Sequence, residues 1–123
     1  KRAFSYVDDS VIPFWNASQN ENCIGEIINL GGIKEYSIND ACNTLINVTG
    51  QNLKPLYLEE RHETKYAWST WQKSSDLLDF KHKVDLQEGI TKMWAWAQKQ
   101  PNRERYVWPN YELNKGLYSY WKV

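Results

Sequence analysis

The strongest folding signal in this sequence is a helix with both of its ends marked. Ser37 is placed as the N-cap, Asp40 three residues later completes a capping box, and Gly50 supplies a left-handed stop. Between these ends, apolar residues recur at helical spacing, at Ile38, Ala41, Cys42, Leu45 and Ile46. The pattern predicts an amphipathic helix that packs one face against the rest of the chain.

A second helix is predicted by the same kind of signal later in the sequence. Asp85 and Glu88 form another capping box, and Pro101 marks the end of the helical segment. The inner face of this helix is predicted to hold Leu86, Ile90, Met93, Trp94 and Ala97. The two capped helices therefore present apolar faces that can pack on each other.

Two further helices have weaker boundaries. A short one is predicted from about Trp71 to Leu78, with Ser69 or Thr70 as its N-cap. Near the start of the chain, an acidic residue can cap a helix that carries an internal proline in its first turn or just beyond. That helix is defined by the candidate caps Asp8 and Asp9, by Pro13, and by the apolar residues Val11, Phe14 and Trp15.

Three short stretches are typical of strands. Phe4 and Tyr6 alternate in the manner of a strand, residues 26–30 form an apolar run closed by two glycines, and residues 54–60 form another apolar run. Three strands are too few for an independent sheet core. The sequence thus predicts a single α+β domain over residues 1–123, with about three short strands and four or five helices, and residues 101–123 form an aromatic-rich tail.

Composition excludes several classes of partner. Lys+Arg and Asp+Glu both number 15, which disfavours a broad phosphate-binding surface, and no apolar run approaches the ~20 residues that cross a bilayer. We therefore expect neither nucleic acid nor membrane as a partner. Cys23 and Cys42 are too few for a disulfide framework, which indicates a reducing, cytoplasmic compartment. The glycosylation triplets at Asn16 and Asn47 are then interpreted as chance matches.

Three stretches in succession resemble a known family. They are RAFSYVDD, then INLGGIKEYSINDACNTL, then RHETKYAWSTWQKSSDLLDFKHKVDLQEGITKMWAWA. In order and spacing they are similar to the C-terminal, substrate-binding part of the extended short-chain dehydrogenase/reductases. More narrowly, they resemble the NAD-dependent nucleoside-diphosphate-sugar epimerases and dehydratases of the UDP-glucose 4-epimerase type. The resemblance covers roughly residues 1–100, and the tail also looks like the Trp-ending extension of some members.

The resemblance implies that this chain is the back portion of an enzyme whose dinucleotide-binding front is not included. No Gly-x-x-Gly-x-x-Gly phosphate loop occurs in the sequence, so NAD is expected on the missing N-terminal Rossmann domain. Tyr118 and Lys122 have the spacing of a catalytic Tyr-x-x-x-Lys pair but lack its structural context. We assign no catalytic residue here and expect the chain alone to be inactive. The implied ligand is a nucleoside-diphosphate sugar, with UDP as the favoured nucleotide. The implied protein partner is the Rossmann domain of the same enzyme, and the complete enzyme can be a homodimer.

The same resemblance implies the site residues. Arg2 and Arg61 correspond to the family's two pyrophosphate-binding arginines, Glu63 to the acid that binds the ribose hydroxyls, and Tyr6 could touch the sugar. A guanidinium has paired donors that suit phosphate oxygens, which agrees with these roles. The stretch Arg61-His62-Glu63 is one residue shorter than the family's Arg-Pro-Gly-Asp, which leaves the register of Glu63 open.

Each of these residues also has a plainer interpretation. Arg2 can be an ordinary solvated side chain, Arg61 can pair with Glu59 or Glu60, and Tyr6 can belong to the core, as can Trp68 and Trp71. His62 and His82 lack the spacing of metal ligands, so we assign no metal.

Two other classes of function fit part of the sequence. The seven Trp, eight Tyr and three Phe residues would suit a carbohydrate-binding module, although such modules are usually β-sandwiches and the helical faces count against that fold. Exposed rings could instead mark an assembly or protein-interaction domain.

Overall fold

The structure is a computed structural model that describes residues 1–60 and 63–104. In chain order it contains β1 (Arg2–Ala3), α1 (Val7–Gln19), a 3-10 turn (Glu21–Cys23), β2 (Glu35–Tyr36), α2 (Ile38–Thr49), α3 (Gln72–Leu78) and α4 (Leu86–Ala97). β1 and β2 form an antiparallel two-stranded sheet, and α1 packs on α3 while α2 packs on α4. The predicted α+β class is confirmed.

The two capping signals form the helix starts that the sequence predicts. At α2, the Asp40 backbone N–H donates to the Ser37 hydroxyl oxygen at 3.0 Å, and the Ser37 backbone N–H donates to the Asp40 carboxylate at 2.8 Å. These hydrogen bonds lower the pKa of Asp40 from its ordinary value, because they favour the charged form. Gly50 ends α2 in the left-handed region at φ 66°. At α4, the Glu88 backbone N–H donates to the Asp85 carboxylate at 2.8 Å, but the reciprocal bond of the predicted capping box does not form, and the Glu88 carboxylate pairs with Lys92 instead.

The start of α3 differs from the prediction. Trp71, and neither Ser69 nor Thr70, stands at the N-cap, and its side chain makes no capping hydrogen bond. The Ser74 hydroxyl, which is fully buried, donates to the Trp71 carbonyl at 2.7 Å and ties this first turn together. Asp79 ends α3 with a left-handed φ of 54°, a conformation that favours glycine.

The predicted strands are mostly wrong. The first strand lies at Arg2–Ala3, directly before the Phe4–Tyr6 alternation. Residues 26–30 and 54–60 contain no strand. Residues 54–60 are exposed, and no described strand lies beside either stretch to pair with it. An apolar run forms a strand only where a partner strand supplies hydrogen bonds, and local sequence does not specify that partner.

α1 begins earlier than the sequence predicts, with Tyr6 and neither Asp8 nor Asp9 at its N-cap. The helix begins at Val7, so Asp8 and Asp9 lie inside its first turn, and Pro13 lies in its interior. The inward side chains are polar or small. Asp9 and Pro13 are buried, the Asn16 side-chain amide donates to the Leu78 carbonyl of α3, and the Asn20 amide donates to the Leu77 carbonyl, both at 2.8 Å. The opposite face carries large side chains, with Phe14 69% and Trp15 65% exposed.

The fully buried core of the described chain is small. The buried apolar side chains are Leu78, Phe80 and Val84, which lie at the end of α3 and in the segment that leads to α4. Gly32 is also buried, and a Cβ at this position would overlap the Phe4 backbone carbonyl. Close passage of these two backbone segments holds the chain before β2 against the chain that follows β1.

Within the described residues, none of the helices combines the length and the apolar character needed to span a membrane. The described part of the chain also contains no β-sandwich, since its only sheet pairs two strands of two residues each. The β-sandwich expected of a carbohydrate-binding module is therefore not the fold of this part.

Candidate functional site

β1 lies between two chain segments and carries the candidate arginine. Arg2 pairs with Tyr36 of β2 on one side and forms an isolated parallel bridge with Ala67 on the other. The Ala67 backbone N–H donates to the Lys1 carbonyl at 3.1 Å, which holds the segment that follows residue 62 beside β1. This pairing carries Glu63 to the vicinity of Arg2, although the two residues are far apart in sequence.

Two of the four predicted site residues meet at this sheet. The Arg2 Nη2 atom lies 3.7 Å from a carboxylate oxygen of Glu63, and the Arg2 Nη1 group donates to the Lys1 carbonyl at 2.8 Å. The side chains are 31% and 47% exposed, so both reach solvent. A pair at this distance and exposure contributes little to stability. The guanidinium is thus oriented by the backbone of its own strand and accessible to a ligand.

Nearby charges make the site mixed in sign. The Lys1 ammonium lies 3.7 Å from the Glu35 carboxylate on β2. On the same strand pair, the Lys34 ammonium lies 5.1 Å from the centre of the Tyr36 ring, and that ring lies 6.3 Å from the Phe4 ring. The sheet therefore presents cations, carboxylates and aromatic rings together, which suits a ligand with both phosphate and hydroxyl groups.

The other two predicted residues are placed differently. Arg61, like His62, lies outside the described residues. The Tyr6 ring packs against α4, where a Cβ added at Gly89 would lie 3.4 Å from it and where the Lys92 ammonium is 5.3 Å from its centre. Lys92 also pairs with Glu88 at 2.7 Å, which raises the pKa of Lys92. The structure therefore brings Arg2 and Glu63 together and places Tyr6 against a helix.

Sequence reasoning missed two features of the molecule. One is the buried carboxylate of Asp9, which accepts hydrogen bonds from the Lys83 and Val84 backbone N–H groups at 2.9 and 3.0 Å and lies 4.0 Å from His82 Nδ1. The spacing of Asp9, Pro13, Asn16 and Asn20 along one helix face was the signal available for it. The other is an apolar groove of about 580 Å³ between α2 and α4.

The described residues do not form a dinucleotide site. A pyrophosphate binds at a helix N-terminus that follows a glycine-rich turn and has no negative side chain in its first turn. α1, α2 and α4 each carry acidic residues there, namely Asp8 with Asp9, Asp40, and Glu88. α3 has only 7 residues, and no glycine lies between residue 63 and its start. These residues do not fit NAD.

Comparisons with known proteins bear on this geometry. Scans against models of protein families and against curated protein sequences find no match. Among solved structures, the chain is similar to UDP-glucuronic acid 4-epimerase from Bacillus cereus in complex with NAD, with a TM-score of 0.68, 29% sequence identity and 80% of this chain covered. Over most of its length this chain is similar to part of that epimerase, which is an extended short-chain dehydrogenase/reductase. The resemblance identified from the sequence is confirmed.

A second solved structure shows the same similarity. It is a Tyr-to-Phe mutant of the Bacillus cereus enzyme in complex with UDP-4-deoxy-4-fluoro-glucuronic acid and NAD, with a TM-score of 0.71 and 29% identity over 79% of this chain. This chain spans about a third of the length of those two structures, covering 30% and 32% of their chains.

Proposed function

We propose that this chain is the substrate-binding part of an NAD-dependent UDP-hexose 4-epimerase. The observation that carries the proposal is the convergence of Arg2 and Glu63 beside β1, on a chain whose structural neighbours bind NAD and, in one case, a UDP-sugar analogue. UDP-glucose and UDP-glucuronic acid both fall within this substrate class. Arg61 is proposed as the second phosphate-binding arginine.

The chemistry of the pair supports the nucleotide part of the substrate. A diphosphate offers adjacent anionic oxygens, and charge-assisted hydrogen bonds from a guanidinium to such oxygens are among the strong ones. The ribose has two hydroxyl groups, and a carboxylate such as that of Glu63 can accept hydrogen bonds from both. In this proposal the long Arg2–Glu63 contact, at 3.7 Å, gives way to shorter contacts from each side chain to the nucleotide. Tyr6 is proposed to contact the hexose.

The role of this chain is positional. NAD supplies hydride transfer and is proposed to bind a dinucleotide domain outside these residues, since the described residues do not fit it. The residues on this chain hold the nucleotide so that the attached hexose stays near the reacting groups, and the benefit of such orientation lies in the entropy of association. We propose that the chain alone has no epimerase activity.

We propose that the dinucleotide domain packs against the outer face of α1. Large apolar side chains cover this face, and their exposure in water is unfavourable. They are Val7, Val11, Ile12, Phe14 and Trp15. The inner face already binds backbone groups of α3 and of the segment before α4 through Asp9, Asn16 and Asn20. Turning the apolar face of α1 inward would break these hydrogen bonds. We also propose that the complete enzyme is a homodimer and that it is located in the cytoplasm. The location agrees with the free thiols of Cys23 and Cys42, because a reducing compartment keeps thiols reduced.

Titration with UDP tests the site. UDP is expected to bind this chain weakly, in the millimolar range, and uridine, which lacks the diphosphate, more weakly still. Arg2→Ala should weaken UDP binding by about tenfold or more, because hydrogen bonds to charged groups contribute about 1.5–3 kcal/mol and 1.4 kcal/mol corresponds to tenfold. Arg103→Ala, which removes an exposed arginine from the segment that follows α4, serves as the matched control and should leave binding unchanged.

Three results would count against the proposal. Equal affinities for UDP and uridine would show that the diphosphate is not recognised, and an Arg2→Ala variant that binds UDP as well as Arg103→Ala would remove Arg2 from the site. Turnover of UDP-glucose or UDP-glucuronic acid by the purified chain would contradict the positional role.

A further inference from the structure

An apolar groove runs between α2 and α4, and the chain segment from Phe4 to Tyr6 closes one side of it. Its volume is about 580 Å³. The two helices line it with the apolar residues that their sequence periodicity places on one face, so the faces predicted to be internal instead border an open space. Among these lining residues are Ile38, Cys42, Leu45, Ile90, Met93 and Trp94.

The groove is uncovered over a large part of its lining. Ile38 is 60% and Met93 61% exposed, although they lie on the inward faces of their helices. Among the described residues that line the groove, only Asp85 is charged, and its carboxylate caps α4. A surface of this size and apolar character favours an apolar occupant over water.

The path of the chain points to one occupant. α4 lines the groove as far as Ala97, and the described chain continues from there to Glu104. α4 has 12 residues and is about 18 Å long at 1.5 Å per residue, and residues 98–100 continue from it in a hydrogen-bonded turn. Pro101 disfavours continuation of the helix. Segment 105–123 has 19 residues and can extend to about 60 Å at ~3.3 Å per residue, so it is long enough to reach any point along the groove.

The composition of segment 105–123 fits the groove. About half of its residues are apolar or aromatic, including Tyr106, Val107, Trp108, Leu117 and Trp121. It carries three basic residues and one acidic residue, which suits a groove whose charged lining residue is acidic. We propose that segment 105–123 of the same chain binds in the groove and covers the apolar faces of α2 and α4.

Covalent linkage favours this segment over a second copy of the chain. A tethered segment acts at an effective concentration in the millimolar range, well above the protein concentrations at which such chains are normally studied. The inference does not depend on the proposed epimerase role, because it rests on the groove and on the chain that follows α4.

The two cysteines provide the test. Cys42 lines the groove, whereas Cys23 lies in the 3-10 turn away from it, and both are partly exposed thiols. The rate of reaction with a bulky disulfide reagent is measured for each thiol in the full chain, with Cys23→Ser and Cys42→Ser variants to assign the two rates. Replacing the segment's tryptophans together, Trp108→Ser with Trp121→Ser, should raise the Cys42 rate by about tenfold and leave the Cys23 rate unchanged.

A matched control and a second measurement keep the test decisive. Trp96→Ser removes an exposed tryptophan on α4 that does not line the groove, and it should not change the Cys42 rate. A chain that ends at Glu104 should show the fast Cys42 rate, and a synthetic peptide of residues 105–123 should slow it again. If the shortened chain has lost its helical circular dichroism, the full-length variants decide.

The proposal is overturned if Cys42 reacts equally fast in the unaltered chain and in the Trp108→Ser/Trp121→Ser variant. It is also overturned if protection of Cys42 grows with protein concentration alongside dimer formation in sedimentation, since a second copy would then be the occupant.

Discussion

Asp9 provides the sharpest stability test, because one buried carboxylate oxygen joins α1 to the segment before α4. Its Oδ2 accepts the Lys83 N–H at 2.9 Å and the Val84 N–H at 3.0 Å. The Asp9 residue is only 7% exposed, and Val84 belongs to the small core. The substitution Asp9→Ala removes both hydrogen bonds and leaves a buried N–H without a partner.

The expected cost follows from these two bonds. Hydrogen bonds to a charged group contribute about 1.5–3 kcal/mol each, and water can reach the exposed Lys83 end, so we expect Asp9→Ala to lower the free energy of unfolding by about 2–4 kcal/mol. Asp9→Asn should cost about half as much, because a single amide oxygen can still accept both N–H groups without its charge.

Urea denaturation followed by circular dichroism measures this effect. With a slope of about 1–3 kcal/mol per molar in urea, Asp9→Ala should lower the unfolding midpoint by about 1–2 M. Asp8→Ala is the matched control, since Asp8 is exposed in the same helical turn and should lose only its interaction with the helix dipole, about 0.3–1 kcal/mol. If the two alanine variants unfold at the same urea concentration, the buried hydrogen bonds do not hold this part of the fold.

Three other substitutions test local features. Gly32→Ala should lower the melting temperature strongly and reduce the free energy of unfolding by about 1–3 kcal/mol or more, because the new Cβ would overlap the Phe4 carbonyl. Gly31→Ala, whose Cβ meets only ordinary contacts, should be nearly neutral. Equal melting temperatures for the two variants would contradict the close approach of Gly32 to Phe4. Asp79→Gly should raise the free energy of unfolding by about 0.5–1 kcal/mol, since it relieves a left-handed residue at the end of α3, and a loss of stability in chemical denaturation would refute this explanation. The capping hydrogen bonds lower the pKa of Asp40, so the stability that its carboxylate contributes is present above the ordinary pKa of 3.8 and is lost as the pH falls further. Melting temperatures recorded across that pH range should decline less for Asp40→Asn than for the unaltered chain. Identical pH profiles of the two proteins would exclude this contribution.

The candidate site could be predicted only in part. The sequence indicated Arg2 and Glu63 separately, through a family resemblance, and the pairing of β1 with the segment at Ala67 is what brings them within 3.7 Å. Tyr6 alternates with Phe4 in the sequence, yet its ring packs on α4 because Gly89 leaves room for it there. A contact between residues this far apart depends on the path of the chain, which local patterns do not contain.

The sequence alone determined the helices whose boundaries are local. The capping box of Ser37 and Asp40, the glycine stop at Gly50 and the cap at Asp85 all form as predicted, because each is made by atoms within a few residues of one another. Tertiary structure alone decided which stretches pair as strands, and it turned α1 so that Asp9 and Asn16 face inward while Phe14 and Trp15 face solvent. Periodicity shows that a helix has two unlike faces, but the backbone groups that Asp9 and Asn16 bind lie more than sixty residues away, and only the folded chain brings them to that helix.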